Sequence, residues 1–270
     1  MTVRTRLSTI ILIGDIENQN HLMKKLQDLD LKNKKYIIFD LDGTLIDSVG
    51  VWNMADQKII KKHAGVTIDL DTIQSERHAF LHENLAGDIY LAYCEHLISK
   101  YGFSNHNPIE ISDERRDMAD EVLAKETGFK PGAVELIKRS KSLGFMLALA
   151  TITTQVQLKT YSHKNEKMMK QLNLLSAFDL IITGDEVKRK KPDPEIFDTV
   201  MKNYDAKKDE CLIFEDSYTG VLAGKNAGVE VVNVYDKYAD LDREKIDRIT
   251  DYSISNYREF IDYLESVYSG

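Results

Sequence analysis

The chain has 270 residues, more than one small domain needs and fewer than two full ones take, so a core domain carrying a large insertion is expected. Lys and Arg number 36 against 44 Asp and Glu, and the net charge of −8 argues against a protein that works by coating nucleic acid or an anionic membrane; neither partner is expected. With 43% hydrophobic and 30% charged residues, the composition excludes wholesale disorder and supports a sizeable core.

Two cysteines, Cys94 and Cys211, lie far apart with no CxxC, which excludes a disulfide framework and a cysteine-based zinc knuckle and favours a reducing, cytoplasmic location. The apolar stretch Ser8 to Gly14 is too short to span a bilayer, is followed by Asp15 and Glu17, and lacks the small-residue cleavage site of a signal peptide. Residues 1–35 are read as an N-terminal extension. Within it, His21 to Leu31 places apolar side chains at Leu22, Met23, Leu26 and Leu29, a spacing that predicts a short amphipathic helix.

From Tyr36 onward, short apolar runs alternate with longer helical stretches, the pattern of an α/β protein. The runs are Tyr36 to Phe39, Phe145 to Ala150, Leu180 to Ile182, Leu212 to Phe214 and Val229 to Val234, and the first four end in polar residues. In a doubly wound, Rossmann-like parallel sheet the carboxyl ends of the strands share one crevice, so these scattered polar ends can converge. About a hundred residues separate the first run from the second, far more than one crossover helix uses. Predicted helices at Trp52 to His63, Glu76 to Lys100 and Asp113 to Thr127, punctuated by Gly65, Gly87, Gly102 with Pro108, and Gly128 with Pro131, make that gap an all-helical insertion. The expected division is an extension at 1–35, an α/β core at 36–52 with 128–270, and a helical domain at 53–127.

The first run closes with Asp40-Leu41-Asp42-Gly43-Thr44-Leu45-Ile46-Asp47-Ser48. Two carboxylates two residues apart at a strand end need a cation or strong hydrogen bonds to offset their repulsion, although Asp-Gly alone is also an ordinary turn signal. The whole string resembles the first motif of the haloacid dehalogenase superfamily, in its group of helical-cap phosphatases and beta-phosphoglucomutase-like proteins. Further along, Thr151 ends the second run, and Lys191 abuts Pro192 at the end of the basic span Lys188 to Lys191. The other bases of that span read as a solvated face. Glu215-Asp216-Ser217 follows the fourth run; an isolated acidic pair there would serve equally as a helix-dipole partner. The resemblance covers residues 36 to about 235, and it departs from the usual pattern at Ile152, where many members carry Asn.

The resemblance implies a fold, an α/β core with an inserted all-helical cap domain, and a chemistry. A magnesium ion is implied between the Asp40 carboxylate, the Asp42 backbone carbonyl, Asp216 and Glu215, an oxygen-rich set suited to a hard cation. Asp40 would be the nucleophile, forming an aspartyl-phosphate, and Asp42 the general acid and base. Lys191, Thr151 and the Ile152 backbone amide would hold the phosphoryl oxygens. Asp42 favours phosphoesters, because dehalogenases and phosphonate hydrolases, as the resemblance implies, keep no carboxylate there. The expected function is a magnesium-dependent phosphatase of a small phosphorylated metabolite, such as a sugar phosphate, acting as a monomer or small homo-oligomer. The alternatives are a phosphomutase like beta-phosphoglucomutase, and a non-catalytic phosphometabolite-binding protein.

Arg77, His78, His82 and Lys100 are the cap residues with chemistry to offer the crevice. His78 and His82 stand four apart, as metal ligands on a helix do, without an evident third ligand. His63, Cys94 and His96 read as packing or surface residues. The stretch Thr153 to Asn173, with Tyr161, Ser162 and His163, is longer than usual for such proteins and is either a specificity element or simply a longer helix.

Overall fold

The computed structural model describes residues 24–83, 89–103, 106–125 and 127–268. One parallel sheet of six strands organises it: β1 (Tyr36–Phe39), β2 (Met146–Ala150), β3 (Leu180–Ile182), β4 (Cys211–Glu215), β5 (Glu230–Val234) and β6 (Tyr252–Ile254), in the order β3-β2-β1-β4-β5-β6. The helices in chain order are α1 (Val49–Ala64), α2 (Leu70–Glu83), α3 (Ile89–Tyr101), α4 (Pro108–Lys125), α5 (Ala133–Ser142), α6 (Gln155–Lys164), α7 (Glu166–Gln171), α8 (Leu174–Ala177), α9 (Glu195–Tyr204), α10 (Tyr218–Ala227), α11 (Arg243–Ile249) and α12 (Tyr257–Tyr268).

The strands are apolar at successive positions because helices cover both faces of the sheet. Ile37 and Phe39 of β1 turn to one face, in a core shared with Leu136 of α5 and Phe260 of α12; Ile38 turns to the other, against Phe197 of α9 and Val221 of α10. The strand order reverses at β1: β2 and β3 step away on one side, β4 to β6 on the other. A crevice opens at such a reversal, beyond the carboxyl ends of the strands. This is the doubly wound, Rossmann-like core expected from the sequence. β6 was not expected; its three residues are too few for an alternating pattern to stand out, and it pairs only with β5 at the edge of the sheet.

Helices α1 to α4 form the helical insertion, with their own apolar cluster of Ile59, Ile60, Ile73, Tyr93, Cys94, Leu97, Phe103 and Ile111. α1 begins at Val49, ahead of the predicted Trp52, and stops at Gly65, whose φ of 72° closes the helix in the left-handed conformation. The predicted span Glu76 to Lys100 divides into α2 and α3, and Gly87 between them lies outside the described residues. α4 starts at Pro108, a residue suited to the first helical turn, and the Asn107 carboxamide oxygen accepts from the amides of Ile109 and Glu110, both at 3.0 Å. Inside this layer Arg115 pairs with Asp56, which also accepts from the Tyr93 hydroxyl at 3.4 Å, and its guanidinium lies 4.8 Å from the Trp52 ring centre.

The amphipathic helix expected at His21 to Leu31 is corrected over its described part, which is two 3-10 turns, Leu26–Asp28 and Leu31–Asn33. The backbone carbonyls of Leu29 and Leu31, which a continuing helix would use internally, accept instead from the Tyr263 and Tyr268 hydroxyls of α12. Leu29 and Leu31 are buried there in the main core. Met1 to Met23 lie outside the described residues.

Candidate active site

Each predicted polar strand end is placed by the sheet. The Asp40 amide donates to the Phe214 carbonyl at 3.0 Å, extending the β1–β4 ladder by one residue, and the Thr151 amide does the same with Ile182 beyond β2. Asp40, Thr151 and Glu215-Asp216 therefore end neighbouring strands in one crevice. Lys191 enters from the loop between β3 and α9, where its peptide bond to Pro192 is cis. Its ammonium donates to Asp40 Oδ1 at 2.7 Å, Glu215 Oε1 at 2.6 Å and the Ala150 carbonyl at 3.1 Å, which occupies all three of its protons. Lys188, Arg189 and Lys190 are exposed, as a solvated face requires.

Glu215 is held from the other side as well: its Oε2 accepts from the Asp216 and Ser217 amides at 3.0 and 3.1 Å and from the Ser217 hydroxyl. Gly220, in the first turn of α10, makes room for it, because a Cβ there would lie 1.9 Å from the carboxylate. Asp216 Oδ1 accepts from Thr44 at 2.7 Å. Gly43, at φ +84°, lets the loop after β1 pass against Asp216, where a Cβ would lie 2.3 Å from Oδ2. Behind this loop Asn233 donates to the Glu215 and Asp216 carbonyls at 3.0 and 3.2 Å, and Arg243 in turn donates to Asn233 Oδ1 at 2.8 Å.

Asp40, Glu215 and Asp216 each present an oxygen, all within 4.8 Å of one another, and all three residues are buried. Lys191 pairs with two of these three carboxylates, Asp40 and Glu215, and Asp216 feels the Lys130 charge. Burial first, and then the Glu215 charge, push Asp40 up to about 7 against the pull of Lys191. Asp216 is raised well above the usual carboxylate range by burial and by its neighbours Glu215 and Asp40. Burial alone would lower Lys191, but Asp40 and Glu215 outweigh it and hold the ammonium firmly charged. An all-oxygen, electron-rich set of this kind fits a hard divalent cation. Asp40 and Asp216, with one oxygen each in the hydrogen bonds to Lys191 and Thr44, are the residues that would hold such a cation.

Asp42 is half-buried and faces hydroxyls: Ser48 donates to its Oδ1 at 2.7 Å, Thr153 to its Oδ2, and Tyr161 to Oδ1 at 3.4 Å. Burial raises its pKa, with Thr153, Ser48 and Tyr161 pulling the other way. Thr151 is fully buried, and its hydroxyl accepts from the Thr153 amide at 3.1 Å, which folds the loop after β2 onto itself. Ile152 turns its side chain outward, 39% exposed, so only its backbone is left for the crevice.

The cap candidates scatter. Arg77 donates to Asn53 at 3.0 Å within the helical layer, and Lys100 pairs with Glu76 at 2.8 Å beside His96 and Tyr101. His78 reaches across to Asp242 at 3.0 Å, while the His82 side chain lies outside the described residues. His63 contacts Glu114 at 2.8 Å, and Cys94 is buried. Sequence reasoning gives no role to Thr44, Ser48 and Asn233, and holds Thr153 and Tyr161 only as parts of a stretch that is either a specificity element or a longer helix. Thr44 and Ser48 were visible as polar members of the first motif, but the partners of Thr153, Tyr161 and Asn233 are set only by the folded chain.

A doubly wound sheet whose switch point gathers a buried carboxylate cluster beside a lysine defines a class of α/β protein with an acidic, cation-ready crevice at its strand ends. The family described as haloacid dehalogenase-like hydrolase matches residues 37–234, and the chain belongs to it. It is 30% identical to the phosphorylated carbohydrates phosphatase of Thermotoga maritima over 72% of this chain and 82% of that protein. It is 28% identical to the glyceraldehyde 3-phosphate phosphatase of Pyrococcus furiosus, over 87% of this chain and 95% of the relative. Among solved structures, beta-phosphoglucomutase from Clostridium difficile shares the fold with a TM-score of 0.59 at 21% identity, covering 87% of this chain and 97% of the other. No helix among the described residues is long and apolar enough to cross a membrane.

Proposed function

We propose that this chain is a magnesium-dependent phosphatase of a small phosphorylated metabolite, a phosphorylated carbohydrate foremost, working through an aspartyl-phosphate on Asp40. The observation that carries this reading is the buried Lys191 ammonium bonded to both Asp40 and Glu215 beside Asp216. Magnesium, held by Asp40, Asp216 and the Asp42 carbonyl, would neutralise charge between the carboxylate and the phosphoryl group. Asp40 attacks phosphorus in line while the bond to the ester oxygen breaks, and Asp42 gives that oxygen its proton. Water then cleaves the aspartyl-phosphate, with Asp42 taking the proton back. Lys191 and the backbone after Thr151 stabilise the transferring group.

Glu215 has both oxygens engaged, one by Lys191 and one by its own loop, so its part in this scheme is to anchor Lys191. Residues 53–127 act as a cap that covers the crevice and excludes water. The phosphatases of Thermotoga maritima and Pyrococcus furiosus support the substrate class.

The test is phosphate release by the purified chain, with magnesium, from a panel of phosphorylated carbohydrates. Turnover is expected to vanish on chelation and in Asp40→Asn; unchanged turnover in that variant overturns the reading. Isomerised ester without free phosphate would make the protein a mutase, and no turnover with any divalent ion would make it a binding protein.

A further inference from the structure

Tyr161 is 3% exposed, its ring is packed in the main core, and its hydroxyl reaches out of that core to Asp42 Oδ1. It lies in the second turn of α6, inside the long stretch after β2 and apart from the motif residues. α6 is pinned at both ends. Thr154 caps its start by accepting from the Gln157 amide at 3.3 Å. Asn165 at its end is fully buried, donates to the Leu123 and Thr127 carbonyls at 2.6 and 2.9 Å, and caps α7. The reach of the Tyr161 hydroxyl to Asp42 is therefore set by the fold. Thr153 grips the other carboxylate oxygen, and its own amide is tied to the Thr151 hydroxyl. Both the Tyr161 phenol and the Thr153 hydroxyl donate to the carboxylate, one to each oxygen.

We propose that Tyr161, together with Thr153, is a positioning residue for proton delivery: the two hydroxyls, with that of Ser48 at 2.7 Å on the oxygen Tyr161 reaches at 3.4 Å, fix the Asp42 carboxyl so that its proton meets the ester oxygen leaving phosphorus. The proposal rests on the phosphatase reading above. In the step concerned, the Asp40–phosphorus bond forms, the phosphorus–ester oxygen bond breaks, and the Asp42 proton moves to that oxygen. The Asp42 carboxylate left behind is the species the hydroxyl donors stabilise.

Leaving-group chemistry separates this role from a merely structural one. An alkyl phosphate needs a proton on its departing oxygen, whereas 4-nitrophenyl phosphate expels a stable phenolate without one. The parameter kcat/KM reports the steps up to the first phosphoryl transfer, where the proton is given. Tyr161→Phe is expected to lower kcat/KM about tenfold on the best alkyl sugar phosphate and less than about twofold on 4-nitrophenyl phosphate. Thr153→Val should show the same selectivity, Thr153→Ser should restore it, and Asp42→Asn should show it in larger form. Equal losses on both esters, or none on either, overturn the proposal while leaving the phosphatase reading intact. If Tyr161→Phe fails to fold, the Thr153 pair decides. A wild-type protein that hydrolyses neither ester overturns the phosphatase reading, and the positioning role with it.

Discussion

Lys191 and Asp40 are 151 residues apart in the chain, and their side chains meet at 2.7 Å in a site where the lysine is 4% exposed. The lysine also braces Glu215, so its removal leaves two of the three clustered carboxylates without their cation. Lys191→Met is expected to cut kcat at least about a hundredfold, as loss of a preorganised donor does, and to lower the melting temperature of the metal-free protein. Lys191→Arg should not rescue it, because a planar guanidinium cannot place its donors on two carboxylates and a carbonyl in the volume of an ammonium. Phosphate release and a thermal melt of both variants measure this; recovery of full activity by arginine would argue against a tightly fitted ammonium.

That relationship was legible in the sequence only in part. Asp40 to Ser48 stood out because its chemistry is contiguous, and Lys191 because a proline follows it. The sheet was legible because buried parallel strands are apolar throughout, and β6 was not, since three edge residues carry too little pattern. The 3-10 turns near Leu26 and Leu31 depend on tyrosine hydroxyls from α12, more than two hundred residues away in sequence. Thr153 and Tyr161 gain meaning only from the docking of α6, which no local spacing encodes. Lys100 illustrates the reverse case: a base in the expected cap, it is spent on Glu76 within the helical layer.

The carboxylate cluster makes stability depend on pH with a definite sign. Asp40 is pushed up to about 7 from the ordinary 3.8, and Asp216 is raised too, so the metal-free fold binds protons more tightly than the unfolded chain between those values. Stability contributed by these groups therefore falls as pH rises through that window. Magnesium competes with the same protons, and its stabilisation is expected to be larger near pH 8 than near pH 5. Asp216→Asn should abolish the magnesium-induced shift and raise the metal-free stability near pH 8 by roughly 1–3 kcal/mol, by removing one buried charge. Melting curves with and without magnesium at the two pH values test it; an equal shift at both would contradict the assignment.

Gly220 is a second sensitive point, because the Glu215 carboxylate occupies the space of any side chain there, 1.9 Å from where a Cβ would stand. Gly220→Ala is expected to displace that carboxylate from Lys191, costing roughly 1–3 kcal/mol of stability as overpacking does. Activity should fall with it, by about ten- to a hundredfold, through the loosened lysine. Gly65→Ala makes the control: a Cβ there meets nothing within 4 Å, although its φ of +72° adds local strain. Loss of stability without loss of activity is expected for Gly65→Ala, and the same outcome for Gly220→Ala would refute the coupling to Lys191.

The helical layer offers a prediction independent of the crevice. Asp56 has no exposed side-chain surface, Arg115 has 7%, and the two are joined by a second hydrogen bond at 3.2 Å. Arg77 is close by; burial and the Arg115 charge lower its pKa, so Asp56 is the anion that reconciles two guanidiniums. Asp56→Ala should therefore destabilise the protein by about 3–5 kcal/mol, since it strands buried positive charge. Arg115→Met should cost a similar amount by stranding Asp56. The double variant Asp56→Leu with Arg115→Met removes this pair and keeps apolar volume beside Trp52 and Tyr93, so it should recover part of the loss, the remainder falling on Arg77, which loses its anion. Chemical denaturation of the single and double variants gives the coupling directly. A double variant as unstable as the sum of the singles would show that the ion pair is not what holds this layer together.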